Sequence, residues 1–230
     1  MKIVHFALLF LAILFSLLVF KSSGVLFDVN GYGRFFEKFK VGNEIVFNVS
    51  CGMLVSIWFY FLVVYMPDRF RKNRIKRNFI SQYREFRKQV VVHILNDSKE
   101  PYSNSFLDVL MDVKEFKVFF HKRIKEDQNR WYIFRSNVTN ESLGDILLEF
   151  EAFQDAITIL LINVDIQDEE VFSFLHRIRK VSIIQKNVNA NDYFSFERVS
   201  KLLWEMLAGY SWKERCYYEF DHFEKMFEKI

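Results

Sequence analysis

Two stretches near the start of the chain leave few folds open, because residues 3–20 and 45–66 contain no Asp, Glu, Lys or Arg. The first runs from Ile3 to Phe20 with His5 at its edge. As a helix rising 1.5 Å per residue it would be about 27 Å long, close to the hydrocarbon thickness of a bilayer. The second, Ile45 to Met66, is longer and places Trp58, Tyr60 and Tyr65 in its later half. A soluble surface helix of either length would carry a polar face, and neither run does. The expectation is a transmembrane hairpin over residues 1–66, with spans at about 3–20 and 45–66 and a short outer loop, 21–44.

The flanks orient that hairpin. Pro67-Asp68-Arg69-Phe70-Arg71-Lys72-Asn73-Arg74-Ile75-Lys76-Arg77 follows the second run, and six of those residues are cationic: Arg69, Arg71, Lys72, Arg74, Lys76 and Arg77. Lys and Arg near span ends face the cytoplasm. Both termini are therefore expected there, with the protein in the plasma (inner) membrane. The same six cations suit anionic lipid headgroups as well as topology, each contributing about 1 kcal/mol near a charged surface. A rival reading, cleavage of residues 1–24 as a signal peptide at Ser22-Ser23-Gly24, would leave one span and the same cytoplasmic domain. In the outer loop, Gly31-Tyr32-Gly33 signals a turn, and Arg34 to Lys40 mixes cations with Phe.

Charge is concentrated beside the second run. Residues 69–88 hold nine cations against the single acid Glu85, whereas residues 89–230 carry a net −6 within a whole-chain charge of +3. Nucleic-acid binders need a cationic face to displace counterions from phosphates, so the distal part is not expected to bind nucleic acid. Cys51 falls in an apolar run and Cys216 near the end, which is no disulfide framework.

Gly occurs seven times and Pro twice, too sparsely for the turns of an all-β domain. The fold expected is all-α: the transmembrane hairpin, a basic juxtamembrane helix over 67–96, and a cytoplasmic helical bundle over 97–230. Phe79, Tyr83, Phe86, Val90 and Ile94 give the first cytoplasmic helix, about 68–95, an apolar stripe at spacings of three and four. A second helix is expected from Ser103 or Ser105, with a stripe from Phe106 to Ile124. A third, capped by Thr139 or Asn140, is expected to run to about Asn163, its apolar stretch Ala156 to Ile162 forming the buried centre. A fourth opens on the acids at 165–170. A fifth, carrying Phe196, Val199, Leu203, Met206 and Leu207, stops at Gly209. Ser211-Trp212-Lys213-Glu214 has the spacing of a capping box that would open a last helix.

No motif in the chain specifies catalysis, a metal or a cofactor, and none of these is expected. The five histidines, at 5, 93, 121, 176 and 222, form no metal-ligand spacing. Two segments are similar to the Arg, four to six residues, His signature of the helical HEPN ribonucleases: Arg87 to His93 and Arg215 to His222. With fourteen Arg and five His in the chain, about one such match arises by chance. Neither Arg is followed by the polar residue that family favours. In the second apolar run, Asn48, Ser50, Gly52 and Ser56 provide the small and polar side chains common where membrane helices pack or self-associate. The functional expectation is a membrane-anchored scaffold or regulatory module binding a protein partner or a second copy. The alternative is an oligomerising effector that perturbs the bilayer on a cytoplasmic signal.

Overall fold

A computed structural model of the chain describes residues 2–23, 39, 41–125, 128–184 and 192–230. It is predominantly helical, with only short strands among these residues. The chain divides into two compact units, Met1–Arg71 and Lys72–Ile230. The expected outer-loop features at 31–40 fall outside the described residues except for Phe39.

In the first unit, α1 (Lys2–Ser23) and α2 (Asn43–Tyr60) pack side by side. Asn43, Val46, Phe47, Ser50, Cys51, Leu54 and Ile57 of α2 are its less exposed residues and recur every three or four positions, the spacing of one helix face. At the connecting end Asn43 Nδ2 donates to the Ser22 carbonyl at 2.8 Å, satisfying one of the acceptors that the end of α1 leaves open. Lys21 lies over the Phe39 ring at 4.8 Å.

Helix does not stop at Pro67. A π-helical turn, Phe61–Tyr65, follows α2, and α3 (Met66–Asp97) begins directly after it. Proline lacks the N–H that the Val63 carbonyl would otherwise receive, and its ring crowds that carbonyl. Widening the preceding turn makes room without ending the helix. The unit boundary falls inside α3, between Arg71 and Lys72.

The second unit is built on the stripe legible in α3, since Phe79, Tyr83, Phe86, Val90 and Ile94 are all buried. Phe153 stacks on Phe86 at 5.0 Å, while Phe227 meets Phe79 edge-on at 4.8 Å and Tyr83 at 4.9 Å. Such ring pairs contribute about 0.5–1.5 kcal/mol each beyond their buried area.

The single helix expected from Ser103 to Ile124 is instead two, α4 (Asn104–Leu110) and α5 (Val113–His121). Ser103 caps the first, and Asp112 caps the second through the Lys114 and Glu115 amides. An Asp that bonds amides two and three residues on favours a new helix start over helix interior. Ile124 lies in a short ribbon, β1 (Arg123–Lys125) against β2 (Gln128–Asn129), and is substantially exposed. Asn129 then caps α6 (Arg130–Asn137). Phe116, Trp131, Phe134 and Trp204 gather here, with Trp131 and Trp204 centred 4.9 Å apart.

Thr139 caps α7 (Asn140–Asn163) as its sequence suggests. Asp168 Oδ1 accepts from the Glu170 and Val171 amides at the start of α8 (Glu169–Ile184). The loop expected at 187–192 lies outside the described residues up to 191; Asp192 caps α9 (Tyr193–Leu207). Gly209 ends that helix with φ +73°.

The last helix does not start at Ser211. Ser211 Oγ does accept from the Glu214 amide, but Arg215 turns left-handed at φ +57° after one turn. The chain folds back so that β3 (Tyr210–Ser211) pairs with β4 (Cys216–Tyr217). The start of α10 (His222–Glu228) is Asp221, which accepts from the Glu224 amide at 3.0 Å. The pairing of Tyr210 with Tyr217 ends the Ser211 turn, and Asp221 supplies the cap expected of Ser211.

Candidate functional site

The hairpin presents apolar side chains outward. Phe6 is 74 % exposed and Trp58 62 %, and Leu9, Phe10, Ile45, Val55, Phe59 and Val63 are similarly open. Both helices are long and apolar enough to cross a membrane, and within the most apolar eighteen residues of each only 6 % are buried. A helix in a soluble core would be mostly covered by its neighbours. Between α1 and α2 runs an open groove of about 640 Å³, walled by Leu9, Ile13, Phe20, Trp58 and Phe61 and floored by Ala12 and Ser16. Its polar fringe is Tyr60 and Tyr65. Ser16 Oγ is spent on the Ala12 carbonyl at 2.7 Å.

Of the four residues expected at a packing seam, Ser50 is buried, whereas Asn48, Gly52 and Ser56 are exposed. Ser56 Oγ donates to the Gly52 carbonyl at 2.9 Å, one turn back.

All six expected cations lie in α3. Arg69, Arg71, Arg74 and Arg77 are exposed, and Lys72 and Lys76 are half-buried. Arg69 Nη1 donates to the Tyr65 hydroxyl at 3.2 Å, one turn back. Lys76 Nζ donates to the main-chain oxygen of Ile230. Arg74 edges a groove of about 450 Å³ in the second unit, together with Ile75, Phe79, Asp155 and Ile159. That groove borders α7, whose apolar stretch does not form the buried centre expected of it. Ile157 and Leu160 are buried, but Ile159 is 54 % exposed and Ile162 77 %. Apolar residues on every side of a helix can be covered only if neighbours surround it, and α7 is packed on one side.

The sequence also missed a polar knot inside the second unit. Asp221 accepts from the Tyr83 hydroxyl at 3.0 Å through each carboxylate oxygen and from Arg87 Nη1 at 2.7 Å. Arg87 Nη2 reaches the Met111 carbonyl at 3.2 Å, and both charged side chains are almost wholly buried. Burial, then the Asp221 charge, holds the Tyr83 phenol well above its ordinary value, so it stays a neutral donor. Arg87 is one of the two Arg residues in the ribonuclease-like spacing, and here it braces α3 against α10 and the α4–α5 junction. In the other spacing, Arg215 lies exposed in its left-handed turn. His222 stacks on Tyr218 at 5.4 Å, and desolvation lowers its pKa. Asp221-His222-Phe223-Glu224 is itself a legible capping spacing and was the one available signal for this knot.

Among the described residues, no group of three or more His, Cys, Asp or Glu side chains is placed to hold a metal ion. No family model, curated protein or solved structure matches the chain.

Proposed function

We propose that the chain is a membrane-anchored interaction module. The α1–α2 hairpin resides in the bilayer with both chain ends on the cytoplasmic side, and the unit 72–230 engages a protein partner or a second copy. The observation that carries this reading is the pairing of two kinds of uncovered apolar surface. One is the α1–α2 hairpin, almost none of whose most apolar stretches the protein buries. The other is the α7 face at Ile159 and Ile162 beside an Arg74- and Asp155-edged groove. Lipid covers the first at a gain for each Leu, Ile, Phe or Val. The second is outside any span and suits a protein surface with an apolar centre and a polar rim. Cations along α3 favour the cytoplasmic orientation of that end.

Crosslinking of the tagged full-length protein in intact cells, followed by mass spectrometry, tests this. A defined crosslinked species, lost in the Ile159→Glu/Ile162→Glu variant while the protein stays folded and membrane-bound, is the expected result. The same species persisting in that variant would remove α7 as the contact, and no species at all would remove the module reading.

A further inference from the structure

The hairpin groove is apolar along its length, and an exposed cation, Arg69, stands one turn beyond the Tyr65 that lines one end of it. We propose that it is a binding site for one anionic phospholipid, an acyl chain lying between α1 and α2 and the headgroup at Arg69. This inference rests on the membrane reading above and adds a specific occupant to it.

Dimensions and charge together identify that occupant. On the side that leads to Arg69 the lining runs from Leu54 to Tyr65, about 16 Å of helix at 1.5 Å per residue. Half of a hydrocarbon core is about 15 Å, so this stretch matches the depth of a single leaflet. The groove's volume of about 640 Å³ is that of a small-molecule site. The walls are bulky, with Leu9, Ile13, Phe20, Trp58 and Phe61 standing above a floor of Ala12 and Ser16. A second copy's helix approaches closely only where both surfaces are small, and these walls hold a helix about 10 Å across off the floor. A chain of methylenes reaches it.

The ends of the groove differ. Tyr65 lines one end, and its hydroxyl receives Arg69 Nη1 at 3.2 Å. Arg69 is exposed, and exposed Phe70 follows it. A guanidinium with further donors and an aromatic ring suited to the headgroup–acyl boundary thus stand at the groove mouth. Among the described residues no cation lines either end, but Arg69 follows Tyr65 by one turn, whereas Lys21, next to Phe20 at the other end, lies over the Phe39 ring at 4.8 Å. A phosphate at Arg69 is charge-matched, whereas a helix would bring apolar surface to both ends alike.

Trp58 reports occupancy. The full-length protein would be reconstituted into phosphatidylcholine vesicles containing a minor fraction of phosphatidylglycerol, with bromine on the acyl chains of one lipid or the other. Quenching lost in the Trp58→Phe variant isolates the groove. At equal mole fraction, brominated phosphatidylglycerol is expected at Trp58 about five-fold in excess of brominated phosphatidylcholine, the factor given by about 1 kcal/mol for one cation. Arg69→Gln should abolish the excess, and Ser16→Leu, which fills the floor, should do so with the charge intact. Equal quenching by the two lipids would overturn the site while leaving the span reading in place. So would a reconstituted protein whose Trp58 no brominated lipid reaches, because another copy covers it. Failure of the folded protein to enter vesicles at all would instead overturn the membrane reading on which the site rests.

Discussion

Asp221 is the residue whose removal should be felt most in the second unit. The Asp221→Ala substitution strands Arg87, whose side chain is only 5 % exposed and keeps just the Met111 carbonyl. Breaking a buried pair by deleting one partner costs about 3–5 kcal/mol, because the remaining charge has no water to return to. Loss of the carboxylate that caps α10 adds about 1 kcal/mol. The total of about 4–6 kcal/mol is a large share of the roughly 5–15 kcal/mol that holds a domain together. At about 2–4 °C per kcal/mol for a unit of this size, the apparent Tm should fall by about 8–24 °C. Asp221→Asn keeps the cap and one acceptor but not the charge, so it should lose about 1.5–3 kcal/mol. Near-ultraviolet circular dichroism of the full-length protein in detergent follows the packed Trp131 and Trp204 as the unit melts. Arg87→Met combined with Asp221→Ala should cost less than the two single changes summed, because no orphan charge remains. An Asp221→Ala protein that melts within about 2 °C of the parent, under 1 kcal/mol, would refute this account of the knot.

Three further outcomes are expected. Gly209→Ala would place a Cβ 2.5 Å from the Phe220 carbonyl oxygen at a backbone φ of +73°, so it should cost about 2 kcal/mol or more in a denaturant titration. His222, its pKa lowered by burial, binds its proton less readily folded than unfolded; its contribution is fully present above about pH 6.5 and lost as pH falls through the lower folded pKa. Acid melts of His222→Gln should therefore show a shallower loss of stability than those of the parent. Cys216 is exposed, and with a cytoplasmic C-terminal unit a membrane-impermeant maleimide should label it in lysed cells and not in intact ones. Labelling of intact cells would reverse the orientation.

Local signals carried far in this chain where neighbours agreed with them. The α3 stripe from Phe79 to Ile94, the Thr139 cap and the Gly209 stop each depend on residues within a few positions. Periodicity failed where a longer-range partner decided. Ser211 makes its capping hydrogen bond, but pairing of Tyr210 with Tyr217 ends the turn at Arg215. Asp112 splits a continuous apolar stripe into two helices. The run Ala156 to Ile162 shows apolar character without showing what covers it, so Ile162 is open and Leu160 buried. Charged-residue counts included Arg87 among the nine cations of residues 69–88 without a partner being legible for it. Its partner is Asp221, 134 positions later, and no local pattern joins the two. The groove at Ser16 and Tyr65 was equally out of reach, being a property of two helices together.

The partnership of α3 with α10 has a consequence for how the protein is made. Tyr83 donates to Asp221 across 138 residues of chain, and Phe79 packs on Phe227 later still. At about 5–20 residues per second, translation would leave the aromatic face of α3 without its closing helix for roughly 7–28 s. Nascent chains stalled on the ribosome before residue 221 should accordingly hold on to chaperones that chains stalled with α10 fully emerged release.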